Sequence, residues 1–544
     1  MTLIEPKTIA DSDSFEIKEK VDHSDLEDNQ YNKLDSKNEI YVDIQKEMVE
    51  IEAEADVAEA NRPLWQKMFI LPLTPKHMVW MLGGFASAAG LLSGLDQSII
   101  SGASIGIKNS LDVTTTQMSL VSSLMPLGAV AGSIMMTPLS EYFGRKWAII
   151  VSCIWYTVGA ILCAAAQSHH LLYAGRFMLG VGVGIEGGCV SVYLSESVPP
   201  EVRGNIVSMY QFNIALGEVF GFVVCAIFFH VHGGWRYMVG SSLVFSTLLL
   251  VGMLYLPESP RYLVYKGHTG EAYNVWKRLR DCSVESNKLE FIEMKHAAIR
   301  EREFRKEEST VQIAVELFSI ARNRRALIYS VIMVSLGQLT GINAVMYYLS
   351  SMMARLGFNE EKSVYLSLVG GGSLLLGSIP GILYMDRFGR RKFAQLIIGF
   401  SIGLVFIVIG YSVVDSNLSV GIGLYFTGIV LYMGFFGAYA CLTWVIPAES
   451  FAIATRSVGM TICSSFLYLW AFTVTYNFSG MSNAFTYQGL CGFYLGIGVV
   501  GLAYQILFMP ETKNKTLEEI DDIFNQSPFA IARHNFNNLK KGII

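Results

Sequence analysis

The sequence predicts an all-α polytopic membrane protein in which twelve transmembrane helices form two six-helix halves. Three observations carry this. The chain is 52% hydrophobic and only 16% charged, against about 25% charged residues in a soluble protein, and its mean hydropathy is +0.40. Apolar runs of 18 residues or more occur twelve times, each long enough to cross a ~30 Å hydrocarbon core as a helix. Landmark residues also repeat at a near-constant offset between the two halves.

In chain order, an acidic tail (1–77) precedes spans at 78–101, 115–138, 147–166, 171–194, 205–231 and 236–256. A charged connector (257–325) follows, with spans at 326–353, 364–385, 393–413, 418–445, 457–478 and 490–509 and a tail at 510–544. The halves are therefore 78–256 and 326–509. The eight cysteines fall almost wholly within spans and read as small apolar packing residues rather than a disulfide framework.

The first 60 residues hold 18 Asp/Glu against 6 Lys, a net −12 in a chain of net −5. Such a tail is expected to be solvated and mostly disordered. Within it "IYVDIQKEMVEIEAEADVAEA" (40–60) has helical spacing, which leaves open a helix that folds against a partner. No short apolar core stands behind a basic end, so a signal peptide is not expected. Fourteen Lys/Arg lie in the connector, and loops after even-numbered spans hold Arg145, Lys146, Arg203, Arg387, Arg390, Arg391, Lys392 and Arg456. The opposite loops hold only Lys108, Arg236, Arg355 and Lys362, so the positive-inside rule places both termini in the cytoplasm. Asn417-Leu-Ser and Asn477-Phe-Ser are then outward sequons, a short pattern that is frequent by chance.

Glu196 and Glu449 lie 253 residues apart, as do Arg203 and Arg456, and Pro257-Glu258 and Pro510-Glu511. "SEYFGRK" (140–146) matches "MDRFGRRK" (385–392), with Gly144 and Gly389 offset by 245. Two parallel repeats with a site between them near the midplane is a transporter architecture. Glu141, Glu196, Glu258, Asp386, Glu449 and Glu511 stand near Arg145, Arg176, Arg203, Arg387, Arg390 and Arg456 at or near the cytoplasmic helix ends. Charge-assisted pairs among them are expected to hold the halves together in one state and part when that side opens. Topology-setting charge without gating is the alternative.

No metal-ligand cluster, phosphate-binding loop or nucleophile motif occurs, and His169-His170 is a short outer loop, so neither an enzyme nor a cofactor or metal site is expected. Nothing points to nucleic acid; the surroundings are membrane lipids.

The stretches "GRFMLGVGVG", "YLSESVPPEVRG", "PESPRYLV", "GQLTGINAVMYY", "DRFGRRK", "WVIPAES" and "PETKNKTLEEID" follow one another along the chain. In this order they resemble the sugar porter family of the major facilitator superfamily, and the resemblance covers about 78–520. "GIEGGCVSVYLSE" and "YQFNIALGEVFG" are most similar to fungal members. The resemblance implies the major facilitator fold and movement of a monosaccharide or polyol by alternating access, in a monomeric transport unit. The plasma membrane is the default address, with a vacuolar or endosomal membrane as alternative.

A sugar needs side chains that donate and accept hydrogen bonds, which amides supply, and an aromatic platform, which Trp and Tyr supply. The resemblance assigns substrate contact to Gln211, Gln338, Asn343 and Trp444, with helix–helix hydrogen bonding as the other reading of each. Gln338 and Asn343 are five residues apart, about 140° around a straight helix, so sharing a substrate calls for local unwinding at Gly341. Tyr347 and Tyr348 follow, placed to close over the site from outside. The family departs here at Gly337, Leu374, Phe436 and Ala471, where glucose-type members carry polar residues, so glucose is not the expected substrate.

Asp96 stands where proton-coupled members carry an aspartate, with Arg176 as its family partner. Burial favours the neutral acid and the guanidinium favours the anion, so conformation can switch its proton affinity. A proton symporter is the expected function. A passive facilitator with a permanent Asp96–Arg176 bridge is the nearer alternative. A non-transporting sensor is the further one, against which the short tail after Met509 argues. Glu186 and Glu218 are further intramembrane acids with two open readings, proton relay or structural hydrogen bond.

Overall fold

The computed structural model describes residues 44–63, 73–307, 310–452, 455–513, 515 and 517–540. Among them eleven helices are long and apolar enough to cross a membrane. The last, Arg456–Phe508, holds two spans: its helix breaks once, at Thr486, with φ 65° and ψ 168°. This gives twelve spans. The first half comprises Pro75–Leu111, Thr115–Tyr142, Arg145–Ala164, His169–Ser197, Pro200–Phe228 and Gly234–Tyr255. The second comprises Ala321–Arg355, Glu360–Phe388, Arg390–Val413, Leu418–Ser450 and the two parts of Arg456–Phe508. Helix starts follow the sequence: Thr114 and Gln117 form a reciprocal capping box at span two, and the side chains of Ser168, Asn359 and Asn417 accept N–H bonds at spans four, eight and ten, satisfying donors that the first turn leaves free.

Within a half, small residues set the packing distance. A Cβ on Gly128 of span two would lie 2.1 Å from the Phe177 carbonyl oxygen, and one on Gly180 of span four 2.0 Å from that of Met125. These backbones touch, as small-residue seams allow in a membrane. The halves meet chiefly where span two runs beside span eleven and span five beside span eight. On the side away from the connector, Ser101 Oγ donates to Ser350 Oγ at 3.2 Å and Ser119 Oγ to Ser479 Oγ at 3.1 Å. On the connector side, Thr137 and Thr461 share a 2.5 Å hydrogen bond.

The connector is helical at Pro260–Lys266, Thr269–Leu279, Glu285–Glu307 and Thr310–Ser319. A helix over 44–61 lies on it, which corrects the expectation of a solvated tail for this segment; residues 1–43 lie outside the described part. Met48, Ile51 and Ala55 pack with Tyr273, Trp276, Phe291 and Ile292 in a small core of their own. Asn274 Nδ2 donates to the Ala55 carbonyl at 2.7 Å, Lys288 pairs with Glu52 at 2.9 Å and Lys295 with Glu47 at 2.8 Å. The partner that the amphipathic spacing leaves open is the chain's own connector. All eight cysteines are free, and all but Cys282 are buried.

Candidate functional site

Span seven is interrupted. Its first helix ends at Leu339 and its second begins at Ile342, with Gly341 between them at φ 88°. That conformation favours glycine, and a Cβ there would also lie 2.4 Å from the Tyr494 ring. The carbonyl freed at Thr340 accepts from the Tyr432 hydroxyl at 3.0 Å. The break turns the two amides toward each other, and Asn343 Nδ2 donates to Gln338 Oε1. Unwinding at Gly341, expected from the five-residue spacing, is what places them together.

Gln211, Gln338, Asn343, Tyr347 and Trp444 line one cavity between the halves. Trp444 Nε1 donates to Gln211 Oε1 across the halves at 3.2 Å, and the indole stands edge-on to Tyr210, centroids 5.2 Å apart. Leu374, Phe436 and Ala471 line the same cavity, so one part of the wall is apolar. Gly337 faces span ten instead: a Cβ there would meet Tyr439 at 3.4 Å and Thr443 Oγ1 at 4.0 Å, leaving Thr443 to form the lining. The Tyr348 ring stacks on Phe478 at 4.5 Å, away from the cavity lining. The cavity measures about 80 Å³, well below the ~300–1,000 Å³ of ligand pockets; a sugar fits only when the halves part.

Gln97, Glu218, Thr443 and Tyr468 also line it. Glu218, which the sequence leaves open between proton relay and structural hydrogen bond, lies seven residues after Gln211, two turns along the same helix face. Glu218 Oε2 is buried without a hydrogen-bond partner, as are both carboxyl oxygens of Glu186. A Cβ on the neighbouring Gly187 would lie 2.7 Å from the Tyr468 hydroxyl and 3.4 Å from that of Tyr210.

Asp96 and Arg176 are 3% and 1% exposed. Arg176 Nη1 reaches Asp96 Oδ1 at 2.5 Å and Oδ2 at 2.6 Å, while its Nε donates to the Val121 carbonyl at 2.9 Å. The Tyr347 hydroxyl lies beside this guanidinium and donates to Met125 Sδ at 3.4 Å. Tyr347 therefore stands between the ion pair and the cavity. A buried pair of this kind is costly to break by removing one partner.

The repeated charges build the same cluster twice. Arg145 Nη2 pairs with Glu196 at 2.9 Å, and Arg390 Nη2 with Glu449 at 2.6 Å. Glu258 accepts the backbone N–H groups of Arg145 and Lys146, as Glu511 accepts those of Arg390 and Arg391. Each carboxylate caps a helix whose first turn has no capping side chain of its own, at the end where negative charge is favoured. A Cβ on Gly144 or Gly389 would lie 2.4 or 2.6 Å from the capping carboxylate. Ser259 and Thr512 donate to Glu196 and Glu449 at 2.5 and 2.7 Å. These pairs join elements within one half, whereas the sequence reading had them join the halves. The reason is geometric: each Glu cap ties the first residues of one helix to the segment after span six or twelve of the same half. Glu141 is half-buried, Arg387 is exposed, and Arg456 donates to the Phe451 carbonyl at 3.4 Å. The side chains of Arg203 and Asp386 lie outside the described part. Asn417 is exposed and caps span ten. Asn477 lies inside the span-eleven helix with its amide bonded to the Thr473 carbonyl, not in a loop.

Residues 56–524 match the sequence model of a family described as sugar (and other) transporters. The chain belongs to this sugar transporter family. A member from Gibberella moniliformis, the myo-inositol transporter FST1, is 50% identical over 88% of this chain and 84% of its own length. The arabinose-proton symporter of Escherichia coli is 31% identical over 80% of this chain and 91% of its own. Among solved structures, the E. coli major facilitator proton:xylose symporter XylE, bound to 6-bromo-6-deoxy-D-glucose, superposes with a TM-score of 0.72 at 21% identity. That match covers 82% of this chain and 99% of XylE, and at such identity it speaks for the fold. As a family member the chain is a sugar transporter rather than an enzyme.

Proposed function

We propose that the protein is a proton symporter that carries a monosaccharide or polyol, with a cyclic polyol of the inositol class as first candidate, by alternating access. The observation that carries this reading is the buried Asp96–Arg176 pair held behind Tyr347 at the cavity wall. When the pair opens, Asp96 is free to take a proton. When it closes, Arg176 displaces that proton. Tyr347, lying between the guanidinium and the cavity, makes opening depend on what the cavity holds.

Gln211, Gln338 and Asn343 bind substrate hydroxyls. In the narrow cavity their amides satisfy one another and the Trp444 indole, and a substrate replaces those bonds. Trp444 offers its face to the C–H side of the ring, and Tyr347 closes the site on the side away from the connector. The apolar wall of Leu374, Phe436 and Ala471 supports a substrate other than glucose, because a site built to bond a hydroxyl discriminates strongly for it. The named activity of the 50%-identical relative supports the cyclitol. The two connector-side clusters keep each half rigid, so that the halves rock as bodies about the cavity. The charge distribution supports cytoplasmic termini, with a monomer in the plasma membrane as the working unit.

The test is uptake of labelled sugars and polyols in a transporter-deficient host, with and without a protonophore. Uphill accumulation of a cyclitol that collapses with the proton gradient is expected. Gradient-insensitive equilibration would favour the passive facilitator, in which the Asp96–Arg176 bridge stays closed.

A further inference from the structure

A second cleft, of about 530 Å³, lies at the connector-side end of the first half, apart from the central cavity. Three parts of the chain meet there: Arg62 at the end of the tail helix, Lys146 at the start of span three, and Lys266, His268 and Arg278 from the connector. Four lysine and arginine side chains thus face two carboxylates, Glu258 and Glu271. Glu258 is already engaged by the backbone N–H groups of Arg145, Lys146 and Ser259. Arg62 is held by Glu59 at 2.7 Å, and Lys146 Nζ donates to the Leu254 carbonyl at 2.9 Å.

Arg278 is the informative residue. Its Nε and Nη2 are buried and have no hydrogen-bond partner, an arrangement that is costly for a charged donor. Burial and then the charge of Arg62 push its guanidinium below the ordinary arginine range. An acceptor with several oxygens and negative charge would answer both problems. The volume falls within the ~300–1,000 Å³ of small-molecule sites. Tyr142, 74% exposed, stands at the rim with Phe143 and Trp147, and aromatic residues of this kind sit at the headgroup level of a bilayer.

We propose that this cleft binds a phosphomonoester, carried either on a soluble polyol phosphate or on a lipid headgroup. Arg278 supplies the fork that bonds phosphate oxygens, with Lys266, Lys146 and Arg62 as surrounding charge. The ligand would join the tail helix to the connector and to span three, and so stabilise the docked position of 44–61.

The experiment uses the full-length protein. Inositol hexakisphosphate is titrated by calorimetry into protein in detergent, and phosphatidylinositol 4-phosphate is offered in phosphatidylcholine nanodiscs. Wild type is compared with Arg278→Gln, with Lys266→Gln, whose exposed side chain leaves folding untouched, and with Lys362→Gln at the opposite end of the molecule. At least one probe is expected to bind, with affinity falling about tenfold or more in the first two variants, about 1.4 kcal/mol, and unchanged in the third. Binding of the soluble probe alone assigns a soluble source, and of the lipid alone a headgroup. Failure of both probes to bind wild type would overturn the site, as would equal weakening in all three variants.

Discussion

Asn343 donates its side-chain N–H to Gln338 Oε1 across the interruption of span seven, with Gly341 at φ 88° between the two helices. Neither amide could reach the other on a straight helix. In the proposed symporter their bond is the resting form of a site whose hydrogen-bonding capacity passes to a substrate on loading.

Gln338→Ala is expected to weaken substrate binding at least about tenfold, about 1.4 kcal/mol, in an equilibrium binding assay; an unaltered affinity would remove Gln338 from the site. Gly341→Ala places a Cβ 2.4 Å from the Tyr494 ring at a left-handed position. It is expected to abolish transport and lower thermal stability. Gly337→Ala, meeting Tyr439 at an ordinary 3.4 Å, is expected to keep both.

Asp96→Asn removes the charge that Arg176 holds while keeping the shape of the side chain. Uphill accumulation is expected to disappear while exchange of labelled for unlabelled substrate persists. Proton-driven uptake at the wild-type level would rule out Asp96 as the coupling acid.

Arg390→Gln and Arg145→Gln each leave a partly buried glutamate, Glu449 or Glu196, without its cation. Both clusters are remote from the cavity lining, so the expected defect is in maximal transport rate, by several-fold, with half-saturation little changed. A change in half-saturation alone would count against a role in the rocking of the halves.

Docking of the tail helix is expected to be acid-labile. The bond from Lys288 holds the Glu52 carboxyl below its ordinary value of 4.5 despite partial burial. Burial raises Glu47, but Lys295 and His296 together outweigh it and lower it as well. A carboxyl lowered by its partners stabilises docking above the unfolded-state pKa, and that stability is lost as pH falls through the lowered values. Spin labels at Glu50 and Glu303 are expected to report an unchanged distance from about pH 7 to pH 5 and a broadened one near about pH 3. Broadening already near neutrality would show that these pairs do not hold the helix.

Much of the fold was legible because a bilayer imposes a coarse rule: every crossing needs an apolar run of about 20 residues. The 253-residue offset revealed the two halves for a related reason, since equal helix ends in equal folds need equal charges. Gly341 was legible because two amides on opposite sides of a helix need a break between them. The partner of the tail helix was not: its spacing shows that one face is apolar, without saying that Tyr273, Trp276 and Phe291 cover it. The sense of the charge pairs was likewise hidden, because Arg145 has several glutamates in sequence reach of the same helix ends. The helix across Asn477 was missed because only Thr486 breaks the run from span eleven to span twelve.

The sequence by itself determined the membrane class, the twelve crossings, the internal repeat and which polar residues stand in apolar surroundings, since hydropathy and residue spacing are properties of the chain. Only the tertiary structure decided that five of those residues share one narrow cavity, and that Tyr347 stands between it and the Asp96–Arg176 pair. It also decided that the repeated charges tie each half to itself. These relations depend on distances between spans that no one-dimensional pattern encodes, and they are fixed by backbone contact at small residues such as Gly128 and Gly180.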